Sequence, residues 1–212
     1  MADVCDPVLP PIELKTAAKA ATNNVLPQLN WSKPLLIILV ALLSLTSVVA
    51  AQQHPTESQV KAAYLYNFGK FVRWPADRPA PPTAFEICIL GKDPFGAVLD
   101  STVAGESING KTITVKRLST VQEASQCRVL FISASEDARL LPALAAAQRL
   151  NILTVSDIRS FAERGGAIGL VSDQGKIRFE VNLNATEQSH LVLSSELLKV
   201  AIKVIGKPGP AS

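Results

Sequence analysis

Two short apolar runs constrain the fold of this chain most: VLFI within Arg128–Ser133, and ILTV at Ile152–Val155. Both are continuous rather than alternating, the pattern of strands buried on both faces. Helix signals follow each of them. Ser135, Glu136 and Asp137 open an Ala/Leu-rich helix predicted to reach Arg149, and Ser156 is placed as the cap of another running to Glu163. Strands that alternate with helices require parallel pairing through right-handed crossovers. The expected fold class is α/β: a single compact domain with a mostly parallel sheet and helices on both faces.

The flanking elements extend this pattern. Phe85–Leu90, which contains Cys88, and Thr112–Lys116 read as strands, and Thr120–Gln126 as a short helix. Asp93 and Pro94 are expected as N-cap and first residue of a helix. Gly91 and Gly96 are spaced as in a phosphate loop, but Ala97-Val98 stands where Lys-Ser/Thr is required, which excludes Walker-type binding. Ala167–Val171 and Lys176–Asn184, joined by Ser172-Asp173-Gln174-Gly175, form a C-terminal antiparallel hairpin. In its second strand Ile177, Phe179, Val181 and Leu183 face one way and Lys176, Arg178, Glu180 and Asn182 the other. A long last helix is predicted over Glu187–Ile205. Its apolar arc is wider than one core stripe, so part of it is expected to bury against a second copy.

The N-terminal part reads differently. Lys33, the apolar run Leu35–Leu43 and the small residues Val48, Ala50 and Ala51 have the organisation of a secretory signal. The run is short beside the ~20 apolar residues of a membrane span, so a signal over 32–51 cleaved near Ala51 is favoured over an uncleaved anchor. Residues 1–31 carry Pro7, Pro10, Pro11 and Pro27 without any period and read as a disordered leader or a mis-assigned start. The domain proper is then 52–206, with a disordered tail at 207–212. Export bears on the two cysteines that follow the signal. Cys88 and Cys127 are either one disulfide or two buried thiols, and an oxidising compartment favours the former.

The net charge of +3 is spread without a basic cluster, so nucleic acid is excluded as a partner. QVKAAYLYNFGKFVRWP opens the domain as a helix, with Val60, Tyr64, Phe68 and Phe71 on its inward face and Trp74-Pro75 at its end. Tyr64, Tyr66, Phe68, Phe71 and Trp74 are more aromatic surface than one buried face holds. They are the partner-binding candidates, with Trp74 as anchor.

Chemistry is sparse by comparison. His54 and His190 lack neighbouring ligands, no G-x-S-x-G occurs, and no nucleophile–base pair can be assembled, so no catalytic residue, metal or cofactor is expected. Asp93, Ser133 and Asp157 are expected to gather at the carboxyl ends of the strands, where α/β folds bind ligands. Arg178, Glu180 and Asn182 form a polar row that is either a solvated charge pattern or a small-molecule site.

Taken in order, VKAAYLYNFGKFVRWP, ICILGKDPFG, CRVLFIS, ILTVSDIRSFAERGGAIGLV, KIRFEVNLNAT and LVLSSELLKVAIKV resemble the YfiR-like family across essentially all of 58–205. The resemblance implies an exported, dimeric, periplasmic α/β protein that restrains an inner-membrane diguanylate cyclase through the cyclase's periplasmic part. It also implies sequestration by an outer-membrane lipoprotein, which relieves the restraint and promotes biofilm formation. Cys88 and Cys127 match the family's long-range disulfide. A second, close-spaced pair known in the family is missing from the ILTVSD region. A periplasmic small-molecule sensor is the competing function, and a hydrolase with an unrecognised site a third.

Overall fold

The computed structural model describes residues 54–75 and 84–206. The leader 1–31, the signal 32–51, the Pro-rich loop 77–83 and the tail 207–212 lie outside the described residues. Helix α1, Glu57–Phe71, starts at a capping box. Thr56 Oγ1 accepts from Gln59 N, and Thr56 N donates to Gln59 Oε1 at 2.7 Å. Glu57 in the first turn and Lys70 in the last complement the helix dipole. The buried face is Lys61, Ala62, Leu65, Phe68 and Gly69, so the helix is rolled by about one residue from the expected Val60–Tyr64–Phe68–Phe71 face.

Gly69 accounts for that roll. A Cβ there would lie 2.7 Å from Ile108 Cδ1 and 3.0 Å from Phe85 Cζ, so the helix settles onto the sheet along its glycine. Gly69→Ala, although it raises helix propensity, is expected to destabilise the domain by about 1–3 kcal/mol through overpacking. Urea unfolding reads this directly, and an unchanged midpoint would show that Ile108 and Phe85 can yield.

The chain continues through β1 (Val72–Arg73), β2 (Ala84–Leu90), α2 (Ala97–Val103), β3 (Ser107–Ile108), β4 (Lys111–Leu118), a 3₁₀ turn at Val121–Gln126, and β5 (Cys127–Ile132). A second 3₁₀ turn, Ala134–Arg139, leads into α3 (Leu140–Arg149), followed by β6 (Leu153–Ser156), β7 (Ile168–Asp173) and β8 (Lys176–Asn182). The described chain ends with α4 (Leu183–Gln188), β9 (Val192–Leu193), α5 (Ser195–Val200) and β10 (Lys203–Ile205). Eight of these strands form one sheet, ordered β10-β8-β7-β6-β5-β2-β4-β3. From β7 to β4 all neighbours are parallel, and β7–β8 and β4–β3 are antiparallel. The fold is thus the α/β class that the apolar runs require. β5 and β6 are buried along their whole length, as continuous apolar strands should be.

Alternate residues of the central strands feed two cores. Ile87, Ile89, Val129, Phe131 and Val155 pack under α1, while Cys88, Leu90, Leu130 and Ile132 pack under α3. The β7–β8 hairpin closes on Gln174 (φ 49°) and Gly175 (φ 73°), a two-residue turn with both residues in the left-handed region.

Three expected helices differ. The helix after β2 begins at Ala97, not Pro94, because Asp93 Oδ1 accepts from Phe95 N at 2.7 Å and holds a tight turn first. No helix follows Ser156. Its Oγ donates to Ile132 O at 2.6 Å and accepts from Ile158 N, and Ser160 turns to φ 55°. The long last helix is instead α4, β9, α5 and β10. Asn182 starts α4, His190 at φ 52° stops it, and Ser194 caps α5. β-branched residues then carry the chain into strands at Val192 and Val204. The wide apolar arc arose from winding four elements onto one helix.

Candidate functional site

The carboxyl ends of the strands come first, because an open α/β sheet binds ligands where the chain reverses its winding direction. Here β2 leads outward to β4, while β5, β6 and β7 extend to the other side, so the crevice belongs between β2 and β5. The protein fills it itself. Ser133 N donates to Leu90 O at 3.0 Å, Lys92 N donates to Ser135 Oγ at 2.9 Å, and a Cβ on Gly91 would lie 2.5 Å from Ser135 Oγ. The three groups expected to gather there are all engaged. Asp93 Oδ2 accepts from Arg117 Nε at 3.0 Å, Ser133 Oγ from Ser135 N, and Asp157 Oδ2 from Lys61 Nζ at 2.5 Å.

Lys61, absent from the expected site, is one of the buried charges of this end. Its ammonium also reaches Glu57 Oε1 at 2.5 Å. Burial lowers its pKa, but the hydrogen bonds to Asp157 and Glu57 outweigh burial and hold it above the usual 10.5. A raised folded value means that its contribution is complete below the unfolded pKa and is lost as pH rises through the folded one. Stability should therefore decline above pH ~10.5, and Lys61→Met should flatten that decline. Urea unfolding at stepped alkaline pH measures both, and identical profiles would rule Lys61 out as the source.

Beside the filled crevice lies a cleft of about 230 Å³ between Leu90, Thr120, Val121, Glu136, Arg139 and Ala143. Its buried carboxylate, Glu136, already holds Arg139 Nη2 at 2.9 Å. In the hairpin row, Arg178 is exposed and Glu180 half-buried. Asn182 is buried. Its Nδ2 donates to Ala162 O at 2.7 Å and its Oδ1 accepts from Ala185 N, so its amide builds the start of α4 and presents nothing outward. The row is therefore reduced to Arg178 and Glu180.

The aromatic segment is largely packed. Phe68 is 0% exposed and belongs to the core, not to a surface. Half-buried Tyr64 stacks on it at 5.5 Å, and its hydroxyl donates to Ile177 O. Tyr66 OH donates to the Glu106 carboxylate under the Lys70 ammonium. Half-buried Trp74 sets its ring edge-on to Phe85 at 5.4 Å, and its buried indole N–H has no acceptor among the described residues. Phe71, at 40% exposure, is the member that stands clear.

Phe71 has company that the long-helix reading concealed. Its carbonyl accepts from Ser194 N, beside the β1–β9 ribbon in which Arg73 faces Val192. The chain then passes directly through α5 into β10. Among the described residues the exposed large apolar side chains are Phe71, Val192, Val200, Ile202, Val204 and, apart from them, Leu141. Five of the six therefore lie at the end of α1, in β9, or in the run from α5 into β10. Among the described residues β10 pairs only with β8 and is a sheet edge.

Two further groups escaped the sequence reading. Glu86 and Arg128 are buried, and each has one polar atom without a hydrogen-bond partner among the described residues. The available signal was a lone charge inside an apolar strand, in FEICIL and CRVLFI. Burial pulls the Arg128 guanidinium below its usual range. Cys88 and Cys127 are joined, with Cα atoms 5.8 Å apart.

A family model described as YfiR/HmsC-like matches residues 58–202. The chain belongs to the YfiR/HmsC-like family. This membership makes it a domain of a regulatory, non-catalytic family of the periplasm. No curated protein sequence matches it. Among solved structures it is similar to an ABC domain in complex with L-Trp from Streptococcus pneumonia, at 12% identity and TM-score 0.42, over 57% of this chain and 55% of that one. It is also similar to a conserved domain protein from Vibrio cholerae O1 biovar eltor, at 13% identity and TM-score 0.47, over 70% and 60%. The chain thus spans less than two thirds of either, and neither likeness is close enough to bear on ligand or activity. No helix among the described residues is long and apolar enough to cross a membrane.

Proposed function

We propose that this protein is an exported, non-enzymatic regulator that binds the periplasmic part of an inner-membrane diguanylate cyclase and restrains it, so lowering cyclic-di-GMP synthesis. Family membership supports the class of function. The observation that carries the assignment to a surface is the exposed apolar group Phe71, Val192, Val200, Ile202 and Val204 beside the sheet edge β10. Large apolar side chains left exposed on neighbouring elements are unfavourable in water, and in this reading they are the contact surface. Tyr66 and Trp74, half-buried, are the lesser candidates from the same aromatic segment.

A second copy of the chain and an outer-membrane lipoprotein compete for the same surface in this reading. Either would relieve or modulate the restraint by occupying it. The small-molecule reading is weaker, since the cleft beside the crevice falls below the ~300–1,000 Å³ of ordinary ligand pockets and its charges are already paired.

The test is retention from solubilised membranes by the immobilised domain, with cross-linking from a photoreactive residue in place of Phe71. Recovery of a membrane protein bearing a diguanylate cyclase domain supports the proposal. Cross-links confined to a second copy or to a lipoprotein would reject the direct contact.

A further inference from the structure

At the start of β2 and β5 lies a buried cluster that partner binding leaves unused. Glu86, Cys88 and Cys127 each place one ligand-type atom within 4.8 Å of the other two, and all three residues are buried. Glu86 and Cys88 are two apart on β2 and share a face, and a register shift sets Cys127 opposite Glu86. The carboxylate is divided in its contacts. Glu86 Oε1 lies 2.7 Å from Lys116 Nζ, whereas Oε2 is buried with no hydrogen-bond partner among the described residues. A buried oxygen without a donor is destabilising, and the disulfide beside it has no proton to offer.

We propose that reduction of the Cys88–Cys127 disulfide converts this cluster into a site for one thiophilic divalent cation of the zinc type, held by both sulfurs and Glu86 Oε2. In the reduction a dithiol gives two electrons and two protons to the sulfur pair. The S–S bond breaks, two S–H bonds form, and the reductant closes into its own disulfide. The cation then releases both thiol protons to solvent and forms two metal–sulfur bonds. Zinc takes sulfur at about 2.3 Å and carboxylate oxygen at about 2.0–2.2 Å, which sets tetrahedral ligand atoms less than ~4 Å apart, inside the span of the cluster. A water completes the fourth position.

Charge favours this occupant. Two thiolates and one carboxylate balance one divalent ion and the Lys116 ammonium, so the buried site is neutral overall. Lys116 on Oε1 plays the part of the outer partner that orients a ligating carboxylate and leaves Oε2 for the metal. Disulfide and metal are mutually exclusive, so the redox state of the pair decides whether the protein takes up a cation. Both sulfurs are fully buried, and reduction therefore proceeds through local opening of the strand ends.

The experiment is a Co²⁺ titration of the full chain, oxidised and after reduction with a water-soluble phosphine, followed by absorption. The reduced protein should bind one equivalent with sulfur-to-cobalt charge-transfer bands and tetrahedral d–d bands, and Zn²⁺ should displace it. The oxidised protein should bind none. Glu86→Gln keeps both thiols and, by removing a direct ligand, should weaken affinity by at least about 10-fold, the lower bound for loss of an outer partner. Circular dichroism covers the case in which reduction unfolds the chain, and recovery of native signal with one equivalent of metal is then the expected result. Absence of stoichiometric cobalt in the reduced protein would overturn the proposal, as would Glu86→Gln binding as tightly as the parent.

Discussion

Replacing Cys88 and Cys127 together by serine should lower stability by roughly 3–4 kcal/mol, because the bond closes a 39-residue separation in the unfolded chain. Both sulfurs are fully buried on the face under α3, so two serine hydroxyls add a desolvation cost on top of the lost cross-link. For a domain of this size the melting temperature should fall by roughly 6–16 °C. Urea unfolding of oxidised parent and double variant measures the difference. A change below ~1 kcal/mol would mean that the sheet register alone holds β2 to β5 and that the disulfide is not a structural staple.

Phe68→Ala should cost about 3–5 kcal/mol, since the ring is fully buried between Tyr64 and Phe179 and truncation leaves a cavity beneath α1. Phe71→Ala, three residues along the same helix, should change stability by less than ~1 kcal/mol. The two rings therefore separate folding from partner contact. Denaturant midpoints beside retention by membrane extract resolve them: Phe68→Ala loses stability, and Phe71→Ala keeps stability and loses partner. The reverse pattern would place the contact in the core-facing aromatics and reject the surface assigned above.

The central sheet was legible because its strands carry their burial in their composition. VLFI and ILTV leave no polar face, and KIRFEVN alternates so cleanly that hairpin and register follow. The site was less legible. Helix periodicity in α1 was read from its large side chains, but a glycine chose the face, and a residue without a side chain leaves no mark in an apolar pattern. The last third misled for a related reason. Leu191, Leu193 and Leu197 are buried in two different geometries, and the stops between them, His190 at positive φ and the cap at Ser194, are tertiary choices that local pattern does not reveal. Hence the exposed run Val200–Val204 was read as a helix face. Asn182 shows the opposite error, since strand alternation put it on the polar face while the start of α4 drew its amide inside.

The most direct test of the account is diguanylate cyclase activity in membrane vesicles that contain the partner enzyme, with its periplasmic part accessible to added protein. Oxidised wild-type domain should lower cyclic-di-GMP synthesis in a saturable manner. A variant with Phe71, Val192, Val200 and Ile202 changed to serine, equally folded by circular dichroism, should restrain it at least about tenfold less effectively, the loss expected when contact anchors are removed. Synthesis unaffected by the wild-type domain, or equal restraint by the two proteins, would contradict the account.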